Sequence, residues 1–325
     1  KQSFPNIIIL RNMKHNIKIT IILLSMFLIT QIIGLWVINF YNISENQLPY
    51  GMQPPEKISN EQGVGFLQNI LVAFVFAILL FFILTKIKAE KFIRAWFFVV
   101  TIIAIALCLN VIFSYMSITY YSAFIAILFA TPLAFYKIYK RNILVHNITE
   151  LLIYPGIAAV FVPILGVLGI IILLLAISLY DIWAVWKSEF MKNLAKFQID
   201  KVKVFSGFFV PYANKKTKQK IKLLKDKSLK YSEKKRDKFL ETQFKKAKIK
   251  INLAILGGGD IIFPIISAGI FYKVYGLIPA LIITASATLG LLFLFILARK
   301  GKFYPAMPFL TIAMYLGMIV NWLVF

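Results

Sequence analysis

Long apolar runs separated by short polar stretches dominate the chain. Runs of about 17–25 apolar residues suit a helix crossing a bilayer. They fall near 17–40, 64–85, 93–113, 117–136, 148–165, 167–186, 251–272, 276–298 and 305–325. The pattern predicts an all-α membrane protein with nine transmembrane helices. The fifth run is the most broken, by Pro155, Gly156 and Pro163, and its link to the sixth is very short. Between the sixth and seventh runs lies the only large polar segment, 188–249. The expected organisation is therefore a tail over 1–16, six helices over 17–187, a loop over 188–249 and three helices over 250–325. Residue 1 is Lys, and Met13 opens MKHNIK. Residues 1–12 read as an upstream extension or a cloning remnant. The first run is long for a signal peptide and no A-x-A site follows, so it reads as a retained helix.

Composition supports the membrane reading. Of 325 residues, 60% are hydrophobic and mean hydropathy is +0.80, beyond the range of a soluble domain of this size. The net charge of +24 would suggest nucleic acid in a soluble protein. Here its distribution says otherwise. With nine spans, 35 of the 37 basic residues fall on one side, 21 of them in the 187–250 loop region; only Lys57 and Lys273 fall on the other. Positive charge marks the cytoplasmic side, so the N-terminus is expected inside and the C-terminus outside. The loop reads as a solvated basic segment held near anionic lipid, with no aromatic motif for RNA. Its stretch GFFVPYAN is an apolar patch ending in a turn, and Phe205 to Val210 could plug a site or be cut. The single cysteine, Cys108, forms no internal disulfide. The histidines, His15 and His146, belong to no HExxH, and no metal or organic cofactor is implied.

Candidate chemistry comes from acids inside apolar runs. Of 13 acidic residues, only Asp181 and Asp260 lie well within spans; Glu150 sits at the start of span five. An intramembrane carboxylate is a functional candidate by default. Spans six and seven are sequential and antiparallel. Helical rise puts the two aspartates roughly 9 and 15 Å from their cytoplasmic ends, in one layer. Facing carboxyls share a proton. The ionised one takes a proton from water and the protonated one polarises a carbonyl, which is the chemistry of aspartic proteolysis. Gly257, Gly258 and Gly259 precede Asp260, so a substrate backbone could approach closely and the chain could bend. A substrate arriving as a helix must unwind, and strand addition would satisfy its backbone. The plainer reading of the glycines is a helix-packing face. Pro264 is expected to bend span seven.

These segments carry a resemblance. Asp181 in ISLYDIWAVW and Asp260 in LGGGD resemble the YD and GxGD motifs of the presenilin and signal peptide peptidase family of intramembrane aspartyl proteases. Pro305-Ala306-Met307 in YPAMPFL resembles that family's PAL motif, with Met in place of Leu. The three occur in family order on spans six, seven and nine. The resemblance implies that Asp181 and Asp260 are catalytic. It implies that Tyr180 lines the site, and that Pro305, Ala306 and Met307 shape it and seat the substrate. The charge count gives the presenilin orientation, which implies a substrate helix with its N-terminus outside and its C-terminal part released to the cytoplasm. The plan is similar to simpler archaeal homologues that act alone. Transmembrane peptides or proteins are the implied substrates and lipids the surroundings; no obligate subunit is implied, and a homo-oligomer stays open. The cell membrane is the expected location. The rival class is a cation channel or transporter that uses the same aspartates. A prepilin peptidase would share GxGD but lack YD and PAL.

Overall fold

The computed structural model describes residues 17–43, 46–52, 89–116, 121–140, 142–187, 204–212, 252–298 and 304–324, with isolated helical positions within 72–84 and 217–228. It separates into two units, 1–208 with 256–325, and 209–255. All the long helices belong to the first. They are α1 (Ile17–Ile38), α2 (Glu90–Tyr115), α3 (Ser122–Phe135), α4 (Ile143–Phe161), α5 (Val167–Ile182), α6 (Gly259–Tyr275), α7 (Leu277–Leu297) and α8 (Met307–Val324). Helices α1, α3 and α5 each end in a π turn, Asn39–Ile43, Tyr136–Lys140 and Trp183–Lys187. Among the described residues seven helices are long and apolar enough to cross a membrane. Helix α6, with 17 residues, is the shortest that a hydrocarbon core accepts. Most of the expected span at 64–85 lies outside the described residues.

Outward-facing positions are apolar: Phe124 is 70% and Trp322 82% exposed. In lipid such faces gain nothing from burial, so close packing and polar ties must hold helices together. Gly156 on α4 is one such contact; a β-carbon there would collide with the Ala104 carbonyl of α2. Tyr41, following α1, donates its hydroxyl to Leu107 O at 2.9 Å and accepts from Asn110 Nδ2 at 2.8 Å, joining it to α2. Asn321 Nδ2 of α8 donates to Pro279 O of α7 at 3.1 Å. Tyr315 Oη reaches Ile171 O at 2.6 Å and ties α8 to α5.

Two expectations need correction. Span five begins at Ile143 rather than 148, because Asn142 caps the helix: its Oδ1 accepts from Leu144 N at 2.9 Å. The polar residues His146 and Glu150 then lie on its buried face. Pro155 sits inside this helix, and Pro163 falls in the turn after it. The second correction concerns 251–272. Residues Asn252–Gly257 form a strand, β2, paired with β1 (Gly207–Tyr212), and helix starts only at Gly259. The fold is mostly helical, not all-α. A strand advances about 3.3 Å per residue rather than 1.5 Å. The placement of Asp260 by helical rise therefore does not hold.

Candidate active site

Asp260 occupies the first turn of α6, just past the strand-to-helix junction. Gly258 makes that junction: its carbonyl accepts from Ile261 N at 3.2 Å and Ile262 N at 3.0 Å, opening the helix. The carboxylate folds back and accepts a hydrogen bond from the Gly257 backbone N–H. A β-carbon at Gly257 would lie 3.2 Å from Asp260 Oδ2. The glycines are thus not equivalent. At Gly258 a β-carbon would meet Ser206 Oγ at 2.5 Å and Tyr154 Oη at 2.8 Å. At Gly259 the nearest atom, on Phe263, is 3.7 Å away, which is ordinary contact. Pro264, buried in the same helix, supplies no N–H to the Asp260 carbonyl four residues before it. Gln31 Nε2 of α1 donates to the next carbonyl, Ile261 O, at 3.1 Å.

Asp181 lies in the last turn of α5. Its Oδ2 accepts from Met307 N at 3.0 Å, and the Ala306 backbone N–H also donates to it. Met307 is the first residue of α8, where amide groups have no partner inside the helix and the helix dipole is positive. The segment Pro305-Ala306-Met307 therefore meets Asp181 through its backbone. Pro305 and the Met307 side chain are buried. Leu310 N returns to Ala306 O at 3.2 Å and closes the first turn. Tyr180 is half-buried beside Asp181, its ring 6.3 Å from that of Trp183.

Helices α5, α6 and α8 pack on one another, and the two carboxylates lie within electrostatic reach of each other. The structure thus brings together Asp181, Asp260, Gly257, Ala306 and Met307. Both aspartates are held by backbone N–H donors, and neither carries a salt bridge among the described residues. Residues 206–208, Tyr154 and Gln31 also border the Asp260 turn. Sequence reasoning named 206–208 only as part of an apolar patch and passed over Tyr154 and Gln31. Their chemistry is ordinary, and only their three-dimensional position marks them.

This is a helical membrane protein with two half-buried carboxylates within electrostatic reach of each other on packed helices. The family model described as signal-peptide peptidase, presenilin aspartyl protease matches residues 24–325. The chain belongs to that family, whose members are hydrolases. Two solved structures of a presenilin family intramembrane aspartate protease share the fold. One, in space group C222, has a TM-score of 0.56 at 19% identity and covers 94% of this chain and 99% of its own. The other, in P2, has a TM-score of 0.55 at 18% identity and covers 93% and 97%. No curated protein matches the chain.

Proposed function

We propose that this chain is an intramembrane aspartyl endopeptidase that hydrolyses peptide bonds of transmembrane helical substrates. The observation that supports the reading is that Asp181 and Asp260 lie within electrostatic reach of each other, each accepting from backbone N–H groups and neither in a salt bridge among the described residues. One carboxylate takes a proton from water, whose oxygen attacks the scissile carbonyl carbon. The partner carboxyl gives its proton to the carbonyl oxygen, and a gem-diol forms. A proton then passes to the amide nitrogen, the C–N bond breaks, and a new carboxyl and a new amine result. Which carboxyl starts protonated is a property of the pair, since coupled groups titrate together.

Helices break near the site, which suits a substrate that must unwind. The β1–β2 pair ends at Gly257 and offers backbone groups to an extended segment. Tyr180 flanks the cleft, and Pro305, Ala306 and Met307 shape it. Nine spans, with the N-terminus cytoplasmic and the C-terminus external, remain our topology, and the cell membrane our location. The basic 188–249 loop is placed on the cytoplasmic side. The apolar patch of that loop contains β1, with Phe208 buried against Tyr154.

The test is cleavage of a single-span reporter by purified protein in liposomes, with and without a hydroxyl-bearing transition-state mimic. Cleavage that the mimic blocks supports the reading. Intact reporter, no mimic binding and an ion flux through the liposomes would replace it with transport.

A further inference from the structure

Three side chains that can carry charge lie buried together on the α3–α4 side of the bundle. Lys137, in the π turn after α3, pairs through Nζ with Glu150 Oε1 of α4. Their side chains are only 4% and 1% exposed. One turn before Glu150, His146 Nε2 stands 2.8 Å from Gly207 O and 3.5 Å from Glu150 Oε1. A carbonyl only accepts, so Nε2 carries the hydrogen on that side. One turn after Glu150, Tyr154 Oη lies 3.2 Å from Ser206 Oγ, and its ring meets Phe208 edge-on at 6.0 Å. One face of α4 thus grips three consecutive residues, 206 to 208. Ser206 in turn accepts from Gly258 N at 3.2 Å, two residues before Asp260.

The corner itself is demanding. Gly207 has φ +143°, a region that favours glycine, and a β-carbon there would strike the Leu256 carbonyl. A buried ion pair stabilises a fold poorly compared with apolar packing of similar volume. Lys137 and Glu150 therefore call for another role, and the geometry gives one. The carboxylate faces the imidazole that reaches the strand, and the Lys137 ammonium anchors that carboxylate to the turn after α3.

We propose that Lys137, Glu150 and His146 form a positioning cluster that clamps the Ser206–Gly207 corner against the Asp260 turn, with His146 making the link. The cluster touches no reacting atom. It sets where Gly257 and Gly258 hold Asp260, and so rests on the assignment of Asp260 to the catalytic pair.

Amide hydrogen exchange of the full chain in detergent, followed by mass spectrometry, tests this directly. His146→Leu removes the donor; His146→Gln keeps one. With His146→Leu, amides over 207–212 are expected to exchange about tenfold faster or more, while those of α5 and α8 stay unchanged. Reporter kcat is expected to fall by about 10²-fold with KM little changed, the effect of a misplaced group rather than of lost binding. His146→Gln restores most of both. Tyr154→Phe, which removes a single hydroxyl and keeps the ring, gives a smaller rise in exchange over the same residues. Should His146→Leu fail to fold, the Gln and Phe variants carry the comparison. Unchanged exchange over 207–212 overturns the proposal. So does equal loss of kcat in the Leu and Gln variants with faster exchange throughout the bundle, because that is a packing role only. If the wild type cuts no reporter, binds no mimic and passes ions, the protease reading fails, yet exchange still decides whether the clamp exists.

Discussion

Replacing Lys137 alone by Met leaves the Glu150 carboxylate buried without its cation. Two unit charges about 4 Å apart attract by about 4 kcal/mol at an effective dielectric near 20. Both side chains are almost fully covered, so water replaces little of this. Losing one partner of such a pair costs about 3–5 kcal/mol, and Lys137→Met should fall in that range. Removing both charges avoids the stranded carboxylate. The double variant Lys137→Met/Glu150→Gln should return to within about 1 kcal/mol of wild type. Equilibrium unfolding in mixed micelles, followed by far-ultraviolet circular dichroism, supplies the four free energies of the cycle. Because either single change strands a buried charge and costs about 3–5 kcal/mol, the coupling should be about 5 kcal/mol or more and favourable. Single effects that add up to the double within about 0.5 kcal/mol would refute the electrostatic reasoning and leave the pair as a spectator.

Other consequences are simpler to measure. Gly156→Ala forces α2 and α4 apart, since the new methyl meets backbone rather than a movable side chain; the expected loss is about 1–3 kcal/mol in the same unfolding assay. Gly257→Ala should cut reporter cleavage, because its β-carbon crowds Asp260 Oδ2, whereas Gly259→Ala should cleave like wild type; the reverse order would contradict the site geometry. Tyr315→Phe removes the tie from α8 to the Ile171 carbonyl and should cost about 1 kcal/mol, with a weaker grip of Met307 N on Asp181. A carboxyl pair that shares one proton gives kcat/KM a bell-shaped pH profile, falling where both are protonated and where both are ionised; a single rising or falling limb would exclude the shared proton.

Much of the architecture could be read because lipid imposes a simple rule. A helix that must cross hydrocarbon needs a long apolar run, and six of the nine expected runs correspond closely to α1, α2, α3, α5, α7 and α8. The start of α4 was displaced because His146 and Glu150 look like loop residues until their partners are known. The stretch NLAILG was read as helix because a short apolar run has the same composition in either state. Its strand pairing depends on β1, which lies 40 or more residues earlier and leaves no local signal. Asp181 and Asp260 stood out as charges with apolar neighbours. Their hydrogen-bond donors did not, since Gly257, Ala306 and Met307 act through backbone N–H groups that every residue but proline carries. Lys137 counted only as one positive charge among many on its side of the membrane. Its burial against Glu150 depends on the packing of α3 on α4 and is visible only in three dimensions.

The central claim is that Asp181 and Asp260 work as one pair. The direct measurement is reporter kcat for Asp181→Asn, Asp260→Asn and the double variant, each nearly isosteric with wild type. The account predicts that either single change lowers kcat by about 10²–10⁴-fold and that the double is little worse than either one, because a pair that has lost one member has lost the mechanism. Either single variant cleaving at the wild-type rate would contradict it.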